Sequence, residues 1–136
     1  MTLREQLIRE EGHRGDPYRD SRGFLTIGVG WNLDAHNLPD EVIDLMLTIS
    51  IARVQTGLRA RIPWYLGLDE PRRAVLESMA FQMGVGGLMS FRKMLAAVQV
   101  GNWREAGAEI LDSNLRTQTP ERTGRYAEQL ITGEWV

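Results

Sequence analysis

Three side chains among the first thirty residues have the types and spacing for acid–base chemistry: Glu11, Asp20 and Thr26. Two carboxyl groups in different surroundings can share a hydrolysis. One, protonated, donates to a leaving oxygen, and the other, ionised, activates water or attacks. A neighbouring hydroxyl can orient that water. Cleavage of a glycosidic bond demands this division of labour. Asp and Glu together number 18, so the pair gains meaning only from the elements that hold it.

Those elements can be read from local signals. Thr2-Leu3-Arg4-Glu5 fits a capping box, in which the Thr hydroxyl and the Glu carboxylate satisfy a helix N-terminus. Leu3, Leu7 and Ile8 repeat at helical spacing and Gly12 is a natural stop, so Glu11 falls in the last turn of a first helix. That sets its carboxyl at the negative end of the helix dipole, a setting suited to a proton donor. From Tyr18 to Val29 the period changes to 2, with Phe24, Thr26 and Gly28 on one face and Leu25, Ile27 and Val29 on the other. Asp20-Ser21-Arg22-Gly23 is turn chemistry. The segment therefore predicts a β-hairpin with Asp20 near its polar tip and Thr26 on the returning strand.

After Asn37-Leu38-Pro39, the residues Val42, Ile43, Met46, Ile49, Val54 and Leu58 form an apolar stripe that predicts a long helix joining two lobes. Asp69 with Pro71 opens a further helix, and Gly84, Gly86 and Gly87 interrupt. Ser90 opens another that Gly101 closes, Asn102 caps the next, and Thr119-Pro120 opens the last. The fold class is α+β, mostly α, in a single domain 1–136. It comprises a small N-terminal lobe with a β-hairpin (about 12–38), a long connecting helix, and a helical C-terminal lobe (about 60–136) to which helix 2–11 is also assigned.

Composition narrows the chemistry. A chain of 136 residues, 43% hydrophobic, supports one ordinary core, with four Trp, three Phe, three Tyr and six Met as bulky filling. There is no cysteine, and the two histidines, His13 and His36, form no metal-ligand pair; no metal and no cofactor are expected. His13, beside Gly12, is assigned no role. A net charge of -2 and a pI near 5.7 supply no basic field for nucleic acid. No apolar run in residues 1–20 resembles a signal peptide and none later is long enough to span a bilayer. The expectation is a monomer, without stable membrane insertion, that stays in the cytoplasm of the cell that makes it.

The string Glu11-Gly12, Tyr18, Asp20, Gly23 and Thr26-Ile27-Gly28-Val29-Gly30 resembles the catalytic signature of phage-type lysozymes (endolysins), glycoside hydrolase family 24. Phe81-Gln82-Met83-Gly84, Gln118-Thr119-Pro120-x-Arg122 and Thr132-Gly133-x-Trp135 are similar, in order, to segments of that family's helical lobe. The stretch from Trp31 to about Leu68 is least similar and shortened.

The resemblance implies a lysozyme-like fold and an endo-acting muramidase. Such an enzyme hydrolyses the β-1,4 bond between N-acetylmuramic acid and N-acetylglucosamine in bacterial peptidoglycan, with inversion, for cell-wall lysis. It carries Glu11 over as the acid, Asp20 as the second carboxylate and Thr26 as the residue that positions the nucleophilic water. Arg122 resembles the arginine that pairs with the catalytic glutamate, a cation that would oppose the helix dipole by stabilising ionised Glu11. Phe81 and Gln82 match cleft-lining positions, where an aromatic face and an amide suit a sugar. Gly28 and Gly30 suit a close backbone approach to a sugar ring, and Gly30, Trp31 and Asn32 stand where substrate-binding residues are expected just past the hairpin. The partner implied is the peptidoglycan glycan strand, reached from the cytoplasm of a bacterial host through a membrane pore, a virion or a larger parent polypeptide. Two other readings use the same residues: a lytic transglycosylase with a single acid, or a muramidase-like module that binds glycan or protein with weak or lost catalysis.

Overall fold

In the computed structural model, which describes residues 1–136, the chain opens with α1 (Leu3–Glu11), and the capping box closes as its sequence requires. The Glu5 N–H donates to the Thr2 hydroxyl at 3.2 Å and the Thr2 N–H donates to the Glu5 carboxylate at 2.7 Å. Gly12 ends the helix at φ +84°, a conformation that costs L side chains energy.

Three antiparallel strands follow in the order β1 (Arg14–Arg19), β2 (Leu25–Gly28) and β3 (Trp31–Asn32). Tyr18 pairs with Thr26 across the first ladder, and Thr26 with Asn32 across the second. The hairpin and its turn match the sequence reading, but the sheet is larger than expected at both ends. β1 reaches back to Arg14 through Pro17, tolerated because this is an edge strand; the register shifts between Arg14 and Tyr18. β3 is two residues long, too short for alternation to reveal it.

Helix α2 (Asp40–Arg61) is long, as predicted, with Asp40 and Glu41 at its start and Arg59 and Arg61 at its end complementing the helix dipole. Its stripe is not a core seam, however: Leu58 is buried and Val54 half-buried, whereas Val42, Ile43, Met46 and Ile49 are exposed. Periodicity names a helix face but not what covers it. Contacts divide the chain into two units, Met1–Met46 and Leu47–Val136, with the boundary inside α2. Helix α1, which the sequence reading grouped with the helical lobe, lies in the first unit. The Tyr18 hydroxyl donates to the Glu11 carbonyl oxygen at 3.3 Å, tying its last residue to the sheet.

The second unit continues with a short 3₁₀ helix at Pro63–Gly67, which the sequence reading lacked. It then runs through α3 (Glu70–Met89), α4 (Arg92–Gln99), α5 (Trp103–Leu111), α6 (Asn114–Gln118) and α7 (Pro120–Thr132). Asp69 caps α3 with Pro71 in its first turn, and Gly84 breaks the helical path at φ +79°, ψ 160°. Ser90 does not open α4 as expected. Its hydroxyl turns back to the Gly87 carbonyl at 2.6 Å, and Phe91 takes the N-cap position. Asn102 and Thr119 stand at the N-caps of α5 and α7 without side-chain caps; the Thr119 hydroxyl donates to the Leu115 carbonyl at 3.3 Å instead.

The core is aliphatic rather than aromatic. Leu58, Leu76, Met79, Leu88, Met94, Ile110 and Leu130 are fully buried, each stabilising the fold by about 1.5–3 kcal/mol on transfer from water. Tyr65 and Tyr126 are the aromatic members, while Trp64, Phe91 and Trp103 pack at its edge, so Trp and Phe contribute less filling than composition suggested. Gly107 lets α5 meet α7: a Cβ there would stand 2.6 Å from Ile131 Cδ1. Arg72 then fastens the start of α3 to the end of α7. Its guanidinium donates to the Leu130 and Ile131 carbonyls at 2.7 and 3.0 Å and lies 3.9 Å over the Trp103 ring. No helix is long and apolar enough to cross a membrane.

Candidate active site

The first unit holds the three residues with acid–base potential, each placed by a different device. Glu11 is exposed at the C-terminus of α1, where Gly12 stops the helix. Gly30 lies against its side chain: a Cβ on Gly30 would come 3.1 Å from Glu11 Oε2 and 3.3 Å from its Cβ. Gly30 also has φ +65°, so this position is doubly restricted to glycine. The close contact found at Gly30 is with Glu11, and it gives a reason for glycine other than the approach to a sugar expected from sequence.

Asp20 occupies the turn between β1 and β2. Its Oδ1 accepts from the Arg22 and Phe24 N–H groups, both at 2.9 Å, and its backbone N–H donates to the Phe24 carbonyl at 2.9 Å. Oδ2 is left free of the turn. Thr26, on β2, is 3% exposed, and its hydroxyl donates to the Phe24 carbonyl at 2.9 Å. With its one proton committed, Thr26 Oγ1 can only accept from a further partner.

Past the hairpin, Trp31 and Asn32 form β3. The indole N–H of Trp31 is buried without a partner, and the ring meets His36 edge-on at 5.9 Å. Asn32 Oδ1 accepts from the Asp34 and Ala35 N–H groups at 3.0 and 3.1 Å, so its amide builds the next turn. Asp34 in turn accepts from the Leu25 N–H at 2.7 Å. On β1, Arg14 lies 4.3 Å over the Tyr18 ring and hydrogen-bonds Asp16, which holds the Asp16 carboxyl below the usual carboxylate range. Tyr18, present in the motif but given no role from sequence, supports Glu11 through its carbonyl.

The second unit holds the other three sequence-picked residues. Phe81 on α3 is exposed and lines an apolar cleft of about 400 Å³ with Leu47, Ile51 and Trp135. Gln82 lines a separate cleft of about 740 Å³ together with Met83, Phe91, Glu109 and Asp112. Arg122 on α7 donates through Nε to the Tyr126 hydroxyl at 2.6 Å and through Nη2 to Ser78 Oγ at 3.1 Å. Tyr126 also donates to Gln82 Oε1 at 3.2 Å, so Gln82 and Arg122 belong to one network. The sequence reading missed Ser78 and Tyr126, although each stands four residues from a picked residue on the same helix. No group of three or more His, Asp and Glu side chains offers a metal-ligand set.

A short helix that ends in a glutamate, a small antiparallel sheet with an aspartate in its turn, a long helix and a helical unit around an aliphatic core define the lysozyme-like α+β class. The chain belongs to the phage lysozyme family, whose model matches residues 8–121. It is 30% identical to the pre-baseplate central spike protein Gp5 of Enterobacteria phage T4, over 98% of this chain and 28% of that protein. It is 25% identical to probable T4-type lysozyme 2 of Dictyostelium discoideum, over 97% of this chain and 95% of that protein. Peptidoglycan hydrolase gp36 of Pseudomonas phage phiKMV is 27% identical over 96% of this chain and 15% of its own length. The chain therefore spans nearly all of one relative and less than a third of each of the other two.

Proposed function

We propose that this chain is an endo-acting muramidase that hydrolyses the β-1,4 bond between N-acetylmuramic acid and N-acetylglucosamine in peptidoglycan, with inversion. The observation that carries the reading is that one small unit presents Glu11, Asp20 and Thr26, each from a defined position, in a chain of the phage lysozyme family. The two relatives named as lysozyme and as peptidoglycan hydrolase support the same substrate.

In this mechanism Glu11 gives its proton to the glycosidic oxygen as the bond to the anomeric carbon breaks. Asp20, through the Oδ2 that the turn leaves free, takes a proton from the attacking water. Thr26 Oγ1 accepts a hydrogen bond from the water's other O–H, whose hydrogen stays on the water oxygen, and so turns a lone pair toward the anomeric carbon. An inverting reaction of this kind needs the two carboxyl groups roughly 6.5–9.5 Å apart, room for one water between them. Gly30, Trp31, Asn32, Phe81 and Gln82 bind the glycan, and Arg122 is a supporting cation. The likeness to a phage spike protein favours delivery to the wall by a virion over the other routes.

Release of soluble fragments from purified peptidoglycan tests the reading, with wild type beside Glu11→Gln and Asp20→Asn and the new ends identified by mass. Reducing N-acetylmuramic acid ends from wild type alone are expected. Anhydro ends would assign a lytic transglycosylase, and binding without fragments from a folded wild type would assign a glycan-binding module.

A further inference from the structure

Four polar side chains meet across α3 and α7 as two helical pairs, Ser78 with Gln82 and Arg122 with Tyr126. Tyr126 is 7% exposed, and its hydroxyl touches all three others. Its proton and lone pairs admit one arrangement that satisfies every partner. The guanidinium, which can only donate, gives one N–H to Tyr126 and one to Ser78. The Ser78 hydroxyl then donates to the second lone pair of Tyr126 at 2.8 Å, and the phenol proton goes to Gln82 Oε1 at 3.2 Å. That choice fixes the Gln82 amide, whose Nε2 donates onward to Thr119 Oγ1 at 3.4 Å. With the amide turned the other way, Tyr126 would accept from both Arg122 and Gln82 and give its proton to Ser78, whose own proton would then have no acceptor in the network.

We propose that Tyr126 is a positioning residue whose hydroxyl sets the Arg122 guanidinium and the Gln82 amide together. The proposal rests on the muramidase reading only in assigning Gln82 to the glycan and Arg122 a supporting role. Tyr126 does not line the 740 Å³ cleft, whereas Gln82 does. The hydroxyl therefore acts on the cleft through the orientation of Gln82, which keeps one amide N–H for a ligand. Arg122 is held by its Nε edge, which leaves its Nη1 nitrogen for an anionic or polar partner. A phenylalanine would fill the same volume and keep the ring 5.5 Å from the guanidinium, so packing alone does not require the hydroxyl.

The test is Tyr126→Phe in the full chain. On a soluble peptidoglycan oligomer kcat/KM is expected to fall roughly 10- to 100-fold, the scale of misplacing a substrate-positioning group by up to an ångström. In an Arg122→Ala, Gln82→Ala background the same substitution is expected to add nothing, because the groups it positions are gone. A full further loss in that background, or wild-type kcat/KM in the single variant, would overturn the proposal. Side-chain proton exchange gives a readout without turnover: the Arg122 Nε–H is expected to exchange slowly in wild type and fast in Tyr126→Phe, and equal rates would overturn the proposal. If Tyr126→Phe does not unfold cooperatively, Ser78→Ala removes two bonds of the same network and is expected to speed that exchange; no change there counts against the proposal. A wild type that releases no fragments yet shows the exchange contrast would remove the muramidase reading and leave the positioning role standing.

Discussion

Replacing Gly30 by alanine adds one methyl group where three atoms of the Glu11 side chain stand 3.1–3.3 Å away. Two effects follow, and they separate. The first is backbone strain: at φ +65° an L side chain costs about 1–2 kcal/mol, which lowers Tm by roughly 3–7 °C in a domain of this size. The second is displacement. A Cβ at 3.1 Å from a carboxylate oxygen pushes it aside by a few tenths of an ångström, and if a full ångström costs about 100-fold, turnover falls about 5- to 10-fold. Gly101→Ala is the matched control, since Gly101, between α4 and α5, has φ +75° and a Cβ there would meet nothing closer than an ordinary 3.6 Å contact with Trp103. Both variants are expected to melt lower by similar amounts, while fragment release, measured well below either Tm, falls only in Gly30→Ala. Equal turnover losses in the two, or full turnover in Gly30→Ala with its Tm lowered, would refute the claim that this contact places Glu11.

Other outcomes follow from the same geometry. Glu11→Gln and Asp20→Asn are each expected to abolish fragment release while melting close to wild type. Arg72→Ala removes two charge-assisted bonds to the end of α7 and a stack on Trp103, and should lower unfolding stability by about 2–4 kcal/mol in urea; a loss under about 1 kcal/mol would show the clasp to be ornamental. Burial raises the Tyr65 phenol above its ordinary value, so the folded state holds that proton more tightly than the unfolded one. The associated stability is complete below about pH 10 and declines as pH rises beyond it. Tyr65→Phe should flatten that alkaline decline in urea titrations between pH 8 and 11, and an unchanged slope would refute the assignment.

What the sequence disclosed follows from the range of the forces involved. Thr2 with Glu5, Asp69 with Pro71, and Gly12 and Gly101 act on backbone within a few residues, and they mark the helix ends that the structure shows. Asp20 in its turn and the pairing of Tyr18 with Thr26 are also local, so the hairpin was legible. Ser90 misled because a serine beside a helix end can serve either helix, and here its hydroxyl bonds backward. The Tyr126 network joins residues more than forty positions apart, and no pattern within α3 or α7 announces which faces meet. The stripe on α2 failed as a guide to burial for a related reason: spacing locates an apolar face without naming its neighbour.

The two oxygens of Asp20 carry different duties. Oδ1 shapes the β1–β2 turn by receiving two backbone N–H groups, and Oδ2 stands outside that work. Asparagine can keep the first duty, since its amide oxygen can receive the same two N–H groups, and it loses only the second. Alanine loses both, and the hairpin that carries Thr26 loosens with it. A drop in activity after Asp20→Ala would therefore mix scaffold and reactivity in unknown proportion, and a screen of alanine variants would rank this position above its chemical share. The asparagine variant measures the chemistry, and the difference between the two measures the turn.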